Sequence, residues 1–217
     1  MLRFSLFGFP ITVHWMFWLV MAMLGGGFSA ESGRDYLHLL IWVVAAFVSI
    51  IIHELGHAFL QRAFGARAHI HLYAMGGLAI PDRAPSRGQG ILISLAGPAV
   101  QFALGWAALQ LLRHSTGDSW YVTTFLWSFQ RVSIFWALVN LLPIFPLDGG
   151  HILKGILGPR LEKVTYIIAI ACCVALGAWV LLQPRPSLWN AMICAMFAWS
   201  NFQLLQGSRP PEGFRPE

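Results

Sequence analysis

The stretch Leu37–Arg62, LHLLIWVVAAFVSIIIHELGHAFLQR, decides how this chain is read. It carries no Asp, Glu, Lys or Arg before Glu54 and exceeds the roughly 20 apolar residues that cross a bilayer. Near its end it turns polar, in His53-Glu54-Leu55-Gly56-His57. Ionisable residues inside an apolar span are costly and mark function by default.

The rest of the chain agrees with a membrane protein. Of 217 residues, 57% are hydrophobic and 11% charged, whereas a soluble domain carries about 25% charged residues. The expected fold is an all-α polytopic membrane protein in a single domain, residues 1–217, with its catalytic core at about 37–155. Six spanning segments are expected, at roughly 11–29, 37–62, 90–112, 120–142, 163–182 and 187–205. The last is short and carries Asn190 and Ser200. Arg3 precedes the first segment as in a secretory signal, but the run is long for a signal core. The nearest cleavage site, Phe28-Ser29-Ala30, also has a bulky residue where a small one belongs, so the segment is expected to stay.

A net charge of +5 raises nucleic acid as a partner, but the basic residues are scattered rather than clustered with exposed aromatics. No nucleic-acid partner is expected, and the ten Trp residues suit the interfacial belts of a lipid bilayer. One set of loops collects Arg3, Arg62, Arg67, Arg83, Arg87, Lys154, Arg160, Lys163, Arg209 and Arg215, while the other holds Arg34, Arg113 and Arg185. The excess of positive charge on cytoplasmic loops puts both termini in the cytoplasm. Cys172, Cys173 and Cys194 all lie in apolar runs, which argues against a disulfide framework or a thiolate metal site. Arg131, inside the fourth run, is read as facing a wet groove or a polar partner, with substrate binding as the alternative.

On a helix, His53 and His57 project from one face about 6 Å apart along the axis. Two imidazoles so placed can grip one zinc ion at roughly 2.0–2.1 Å. Glu54 is one residue along, placed to act as general base on a zinc-bound water rather than as a ligand. A third ligand is needed. The continuation of the motif that would supply a third His has Leu60 and Ala63 at the required positions. Later acids are Asp82, Asp118, Asp148, Glu162, Glu212 and Glu217. Asp118 falls on the wrong side of the membrane, Asp82 lies in a charged loop, and the glutamates have no supporting motif. Asp148 follows the fourth segment in Asn140-Leu141-Leu142-Pro143-Ile144-Phe145-Pro146-Leu147-Asp148-Gly149-Gly150-His151, on the side where the second segment ends. Pro143 and Pro146 break a helix, and Gly149-Gly150 is expected to let the backbone turn tightly. Broken backbone at membrane depth belongs in a wet cavity such as a metal site, or it is a plain turn ending a helix.

The two motifs together resemble the site-2 protease family of intramembrane zinc metalloproteases. Ser94-Leu95-Ala96-Gly97-Pro98 is similar to the family's third-segment motif, with Gln101 where Asn is common. The likeness covers about residues 49–153 and is to a minimal form without an appended PDZ or CBS domain. It implies one zinc per chain on His53, His57 and Asp148, with Glu54 as general base. It also implies that Asn140 orients the substrate backbone or the developing oxyanion, a structural polar contact being the alternative.

Between the second and third segments, His69-Ile70-His71-Leu72-Tyr73-Ala74-Met75-Gly76-Gly77-Leu78-Ala79-Ile80 alternates near its start, and Gly76-Gly77 is expected to turn a hairpin. The family likeness makes this a small re-entrant β element that binds unwound substrate through Gly76 and Gly77. His69 and His71 are read as surface strand, and His151 as lining the site or facing solvent.

A metal transporter would explain buried His and Asp but not a Glu set beside them in this pattern. Membrane desaturases need more clustered histidines, and a catalytically inactive helix-binding relative would not need Glu54 and Asp148. The expected reaction is hydrolysis of a transmembrane-helix substrate near the cytoplasmic face. From the family likeness, the substrate is a membrane-tethered regulator under regulated intramembrane proteolysis in a prokaryotic cell membrane.

Overall fold

The structure, a computed structural model, describes residues 1–74, 76–114, 119–184 and 186–207. Asp118, Arg185, Arg209, Glu212, Arg215 and Glu217, used above in the charge and ligand readings, lie outside the described residues. The chain divides into two compact units, Met1–Pro85 with Leu95–Leu138, and Ser86–Ser94 with Val139–Glu217.

The first unit begins with a feature absent from the sequence reading. Strands β1 (Leu2–Leu6) and β2 (Phe9–Val13) form an antiparallel hairpin. Its two-residue loop has Phe7 at φ 51° and Gly8 at φ 80°, the mirror-image turn that matches strand twist. Strands β3 (Ala68–Tyr73) and β4 (Gly76–Pro81) form the second hairpin, and β3 pairs with β2 in parallel, giving the order β1-β2-β3-β4. The glycines do not make the turn. Gly76 faces Tyr73 and Gly77 faces Leu72 within the ladder.

Period-two burial fixes the inner face of this sheet. Phe9, Ile11 and Val13 of β2 and Ala68, Ile70 and Leu72 of β3 are buried, while Pro10 and His69 are exposed. The inner face packs on Phe17 and Met21 of α1 (Trp15–Leu24) and on Ile50, Ile51, Leu55 and Ala58 of α2 (Gly33–Ala63). Helix α1 starts at the His14 cap because residues 11–13 are held in the sheet. Its 10 residues reach about 15 Å, half the hydrocarbon thickness of a bilayer.

Helix α2 opens with a capping box: Asp35 N–H donates to Ser32 Oγ at 3.2 Å, and Ser32 N–H donates to Asp35 Oδ2 at 2.9 Å. Two further helices follow, α3 (Arg87–His114) and α4 (Trp120–Asn140). Ala45 of α2, Ala108 of α3 and Phe129 of α4 form a second apolar cluster within the unit.

The second unit holds α5 (Asp148–Leu157), α6 (Glu162–Leu181) and α7 (Leu188–Leu205). Gly149 and Gly150 are not a turn but the buried first turn of α5. An ideal Cβ on Gly150 would lie 2.6 Å from Ile144 C and Phe145 N, and one on Gly149 would collide with the Leu141 and Leu142 carbonyls. The glycines therefore permit close approach to the preceding loop rather than a bend. Asn201 of α7 donates to Phe145 O at 2.7 Å, and Lys154 of α5 pairs with Glu162 of α6 at 2.6 Å.

Among the described residues, four helices are long and apolar enough to cross a membrane: α2, α3, α4 and Pro159–Leu181, which contains α6. Six were expected. Helix α1 is short, and the polar Asn190, Ser200, Asn201 and Gln203 dilute α7. The architecture is thus mostly helical with a four-stranded sheet, half of which lies before the first helix.

Candidate metal centre

The unbroken helix of α2 brings His53 and His57 to one face, both buried, with their Nε2 atoms 3.0 Å apart and ring planes at 80°. Two nitrogens on a tetrahedral zinc at about 2.0–2.1 Å stand about 3.3 Å apart, so the pair is set to share one ion. His53 offers Nε2 because its Nδ1 is engaged 2.9 Å from Oε1 of Gln101 on α3. The Gln in place of the commoner Asn therefore does reach the histidine.

Close backbone approach makes this possible. An ideal Cβ on Gly56 would lie 2.8 Å from Ala96 O and 2.9 Å from Gly97 Cα, so only glycine there lets α2 and α3 approach so closely. A Cβ on Gly97 would strike the His57 ring. The sequence reading used Gly97 as part of a motif but missed its contact with a histidine. It also missed Ser49 and Ser133, both fully buried and linked to Gln101. Their polarity inside apolar spans was the available signal.

Glu54 is buried at 4% exposure beside the histidines. Strand β4 passes over it, and a Cβ on Gly77 would collide with its carboxylate. Gln61 of α2 anchors the strand by donating to Ala79 O at 3.0 Å. Burial, and secondarily the Glu54 carboxylate, hold the Tyr73 phenol above its usual range. Gly76, at φ 125°, faces Tyr73 at the tip of the hairpin.

Asp148 is the first residue of α5 and partly buried, where a carboxylate is favoured by the helix dipole. His53 and His57 lie in the first unit, where their ring nitrogens face one another, and Asp148 lies in the second. Asn140 is the last residue of α4 and partly buried.

The other histidines sit elsewhere. His151 is exposed on α5 with its ring 4.6 Å from Phe145. His69 and His71 stack at 4.7 Å on the outer face of β3, and burial, then His69 and Arg3, push the His71 imidazole down. Arg131 is exposed on α4, its guanidinium 4.1 Å from the Trp127 ring.

Residues 114–182 match the model of peptidase family M50. A site-2 protease from Methanocaldococcus jannaschii has the same fold, with a TM-score of 0.66, 25% identity, and coverage of 100% of this chain and 99% of that one. The chain belongs to the site-2 protease family. Two curated relatives are similar over about two thirds of the chain or more. A zinc metalloprotease of Methanocaldococcus jannaschii is 30% identical over 158 residues, 72% of this chain and 45% of that protein. Stage IV sporulation protein FB of Bacillus subtilis is 30% identical over 170 residues, 68% of this chain and 58% of that one. The chain spans about half the length of the first curated relatives it matches, at 45%, 55% and 42%. With four apolar helices and site-2 protease membership, it is an integral membrane protein.

Proposed function

We propose that this chain is a zinc-dependent intramembrane endopeptidase that hydrolyses transmembrane-helix substrates near the cytoplasmic face. The observation that carries the reading is the buried pair His53 and His57, with the buried Glu54 carboxylate on the same turn of α2; Asp148 is proposed as the third ligand. Two neutral imidazoles and a carboxylate suit zinc, with one position left for water or substrate. The named activity of the relatives supports the same metal, and one ion per chain is our reading.

Bound zinc would polarise the scissile carbonyl and acidify a water to a pKa of about 7. Glu54 takes a proton from the attacking water and hands it to the leaving amine nitrogen. Asn140 hydrogen-bonds the substrate backbone or the oxyanion. A helical substrate must first be unwound. Strand β4 is an edge of the sheet, so its free side offers main-chain groups to an extended peptide. Gly77 lets the strand lie low over Glu54, and Gly76 and Gly77 bind that peptide. The substrate class is a membrane-tethered regulator, cut in regulated proteolysis in a prokaryotic cell membrane where both termini of this chain are cytoplasmic.

The test is zinc content and cleavage of a generic transmembrane substrate in detergent for wild type, Glu54→Ala and Asp148→Ala. Glu54→Ala should keep zinc and lose cleavage, because the base is not a ligand; Asp148→Ala should weaken both. Wild type without zinc would end the reading.

A further inference from the structure

We propose that Gln101 is a positioning residue that fixes the proton of His53 on Nδ1, and that Ser49 and Ser133 set which end of its amide meets the ring. The proposal rests on the metal site proposed above. Gln101, Ser49 and Ser133 are each 0% exposed, so no water competes for their hydrogen bonds. Oε1 of Gln101 lies 2.9 Å from His53 Nδ1. Its Nε2 donates to Ser49 Oγ at 2.9 Å and, at 3.4 Å, to Ser49 O. Ser49 Oγ is in turn 2.8 Å from Ser133 Oγ.

A neutral imidazole that gives Nε2 to a metal carries its proton on Nδ1 and must donate it. The amide oxygen of Gln101 is the acceptor. A carboxamide has two ends of nearly equal shape, however, and the flipped one would set an NH2 against that proton. What breaks the tie is at the far end. Ser49 O accepts only, and Ser49 Oγ accepts from the amide while passing its own hydrogen to Ser133. All the hydrogens then run one way, from His53 to Gln101 Oε1 and from Gln101 Nε2 through Ser49 to Ser133. Removing Ser49 Oγ leaves only the long bond to the carbonyl. Removing Ser133 turns the Ser49 hydrogen back toward the amide and favours the flipped form.

The experiment measures zinc affinity of the full chain in detergent, by competition with a chromophoric chelator. Wild type, Ser49→Ala, Ser133→Ala, Gln101→Glu and the double variant Ser49→Ala/Gln101→Glu are compared. Ser49→Ala and Ser133→Ala should each bind zinc about 10-fold more weakly, at the low end of the effect of outer-shell partners. Gln101→Glu should keep wild-type affinity or gain, since a carboxylate accepts at both ends. The double variant should match Gln101→Glu, because a carboxylate has no wrong end to present. A role in packing alone predicts that the double variant keeps the Ser49→Ala loss, and that result overturns the proposal. So does wild-type affinity in both serine variants while wild type binds zinc. Wild type without zinc would instead overturn the metal site, and this proposal with it.

Discussion

Gly97→Ala tests the close packing of α3 on the histidine pair. An ideal Cβ at this position lies 2.5 Å from His57 Cε1 and closer still to Nε2. Ordinary carbon contacts need about 3.5–4.0 Å, so the ring must retreat by about 1 Å or α3 must move away. Metal–ligand distances tolerate about 0.2 Å, several times less than that displacement. The backbone cost is smaller. Alanine is better than glycine in a helix by up to about 1 kcal/mol, and overpacking costs about 1–3 kcal/mol. The variant should therefore fold with a slightly lowered melting temperature while its zinc affinity falls by ~100-fold or more, beyond the usual range for outer-shell changes. Gly88→Ala is the control, lying on the same helix with nothing within 4 Å of its ideal Cβ. It should leave zinc affinity unchanged. Chelator competition and thermal unfolding of the same preparations read both quantities. Wild-type zinc affinity in folded Gly97→Ala would refute the reasoning, since the ring could not have kept its place.

Two further substitutions separate the parts of the site. Gly77→Ala places a Cβ against the Glu54 carboxylate rather than a ligand, so it should retain zinc and lower kcat by ~100-fold or more, the scale of general-base catalysis; unchanged turnover with the substrate assay above would show that Glu54 can shift freely. Asn201→Ala removes the donor to Phe145 O at 2.7 Å and Phe197 O at 2.8 Å, and stranding a partly buried carbonyl costs about 1 kcal/mol or more. Its melting temperature should drop by several degrees, and an unchanged value would mean that water reaches Phe145 O.

The histidine pair was legible because it is local. Residues four apart share a helix face whatever the rest of the chain does, and an apolar run of that length has no other structure to form in lipid. Asp148 was put forward from the chain as well, by elimination among few acids. The N-terminal hairpin was not legible. Its β2 was taken for the start of an apolar span, since Ile11 and Val13 read alike in a strand and in a membrane helix. Only parallel pairing with β3, more than fifty residues away, distinguishes them. The same holds for the glycines. Gly76-Gly77 and Gly149-Gly150 read as turns, but one pair lies in a ladder and the other starts a helix, and Gly77, Gly149 and Gly150 have neighbours too close for a Cβ.

By itself, the sequence determined the solvent in which this protein folds and the residue types available to a metal, because hydropathy and helical spacing are properties of contiguous chain. The tertiary structure alone decided how many helices are long enough to span, which carboxamide meets His53, and which glycines let α3 and β4 close on the site. Those outcomes depend on distances between segments far apart in sequence, where sub-ångström packing selects one neighbour over another.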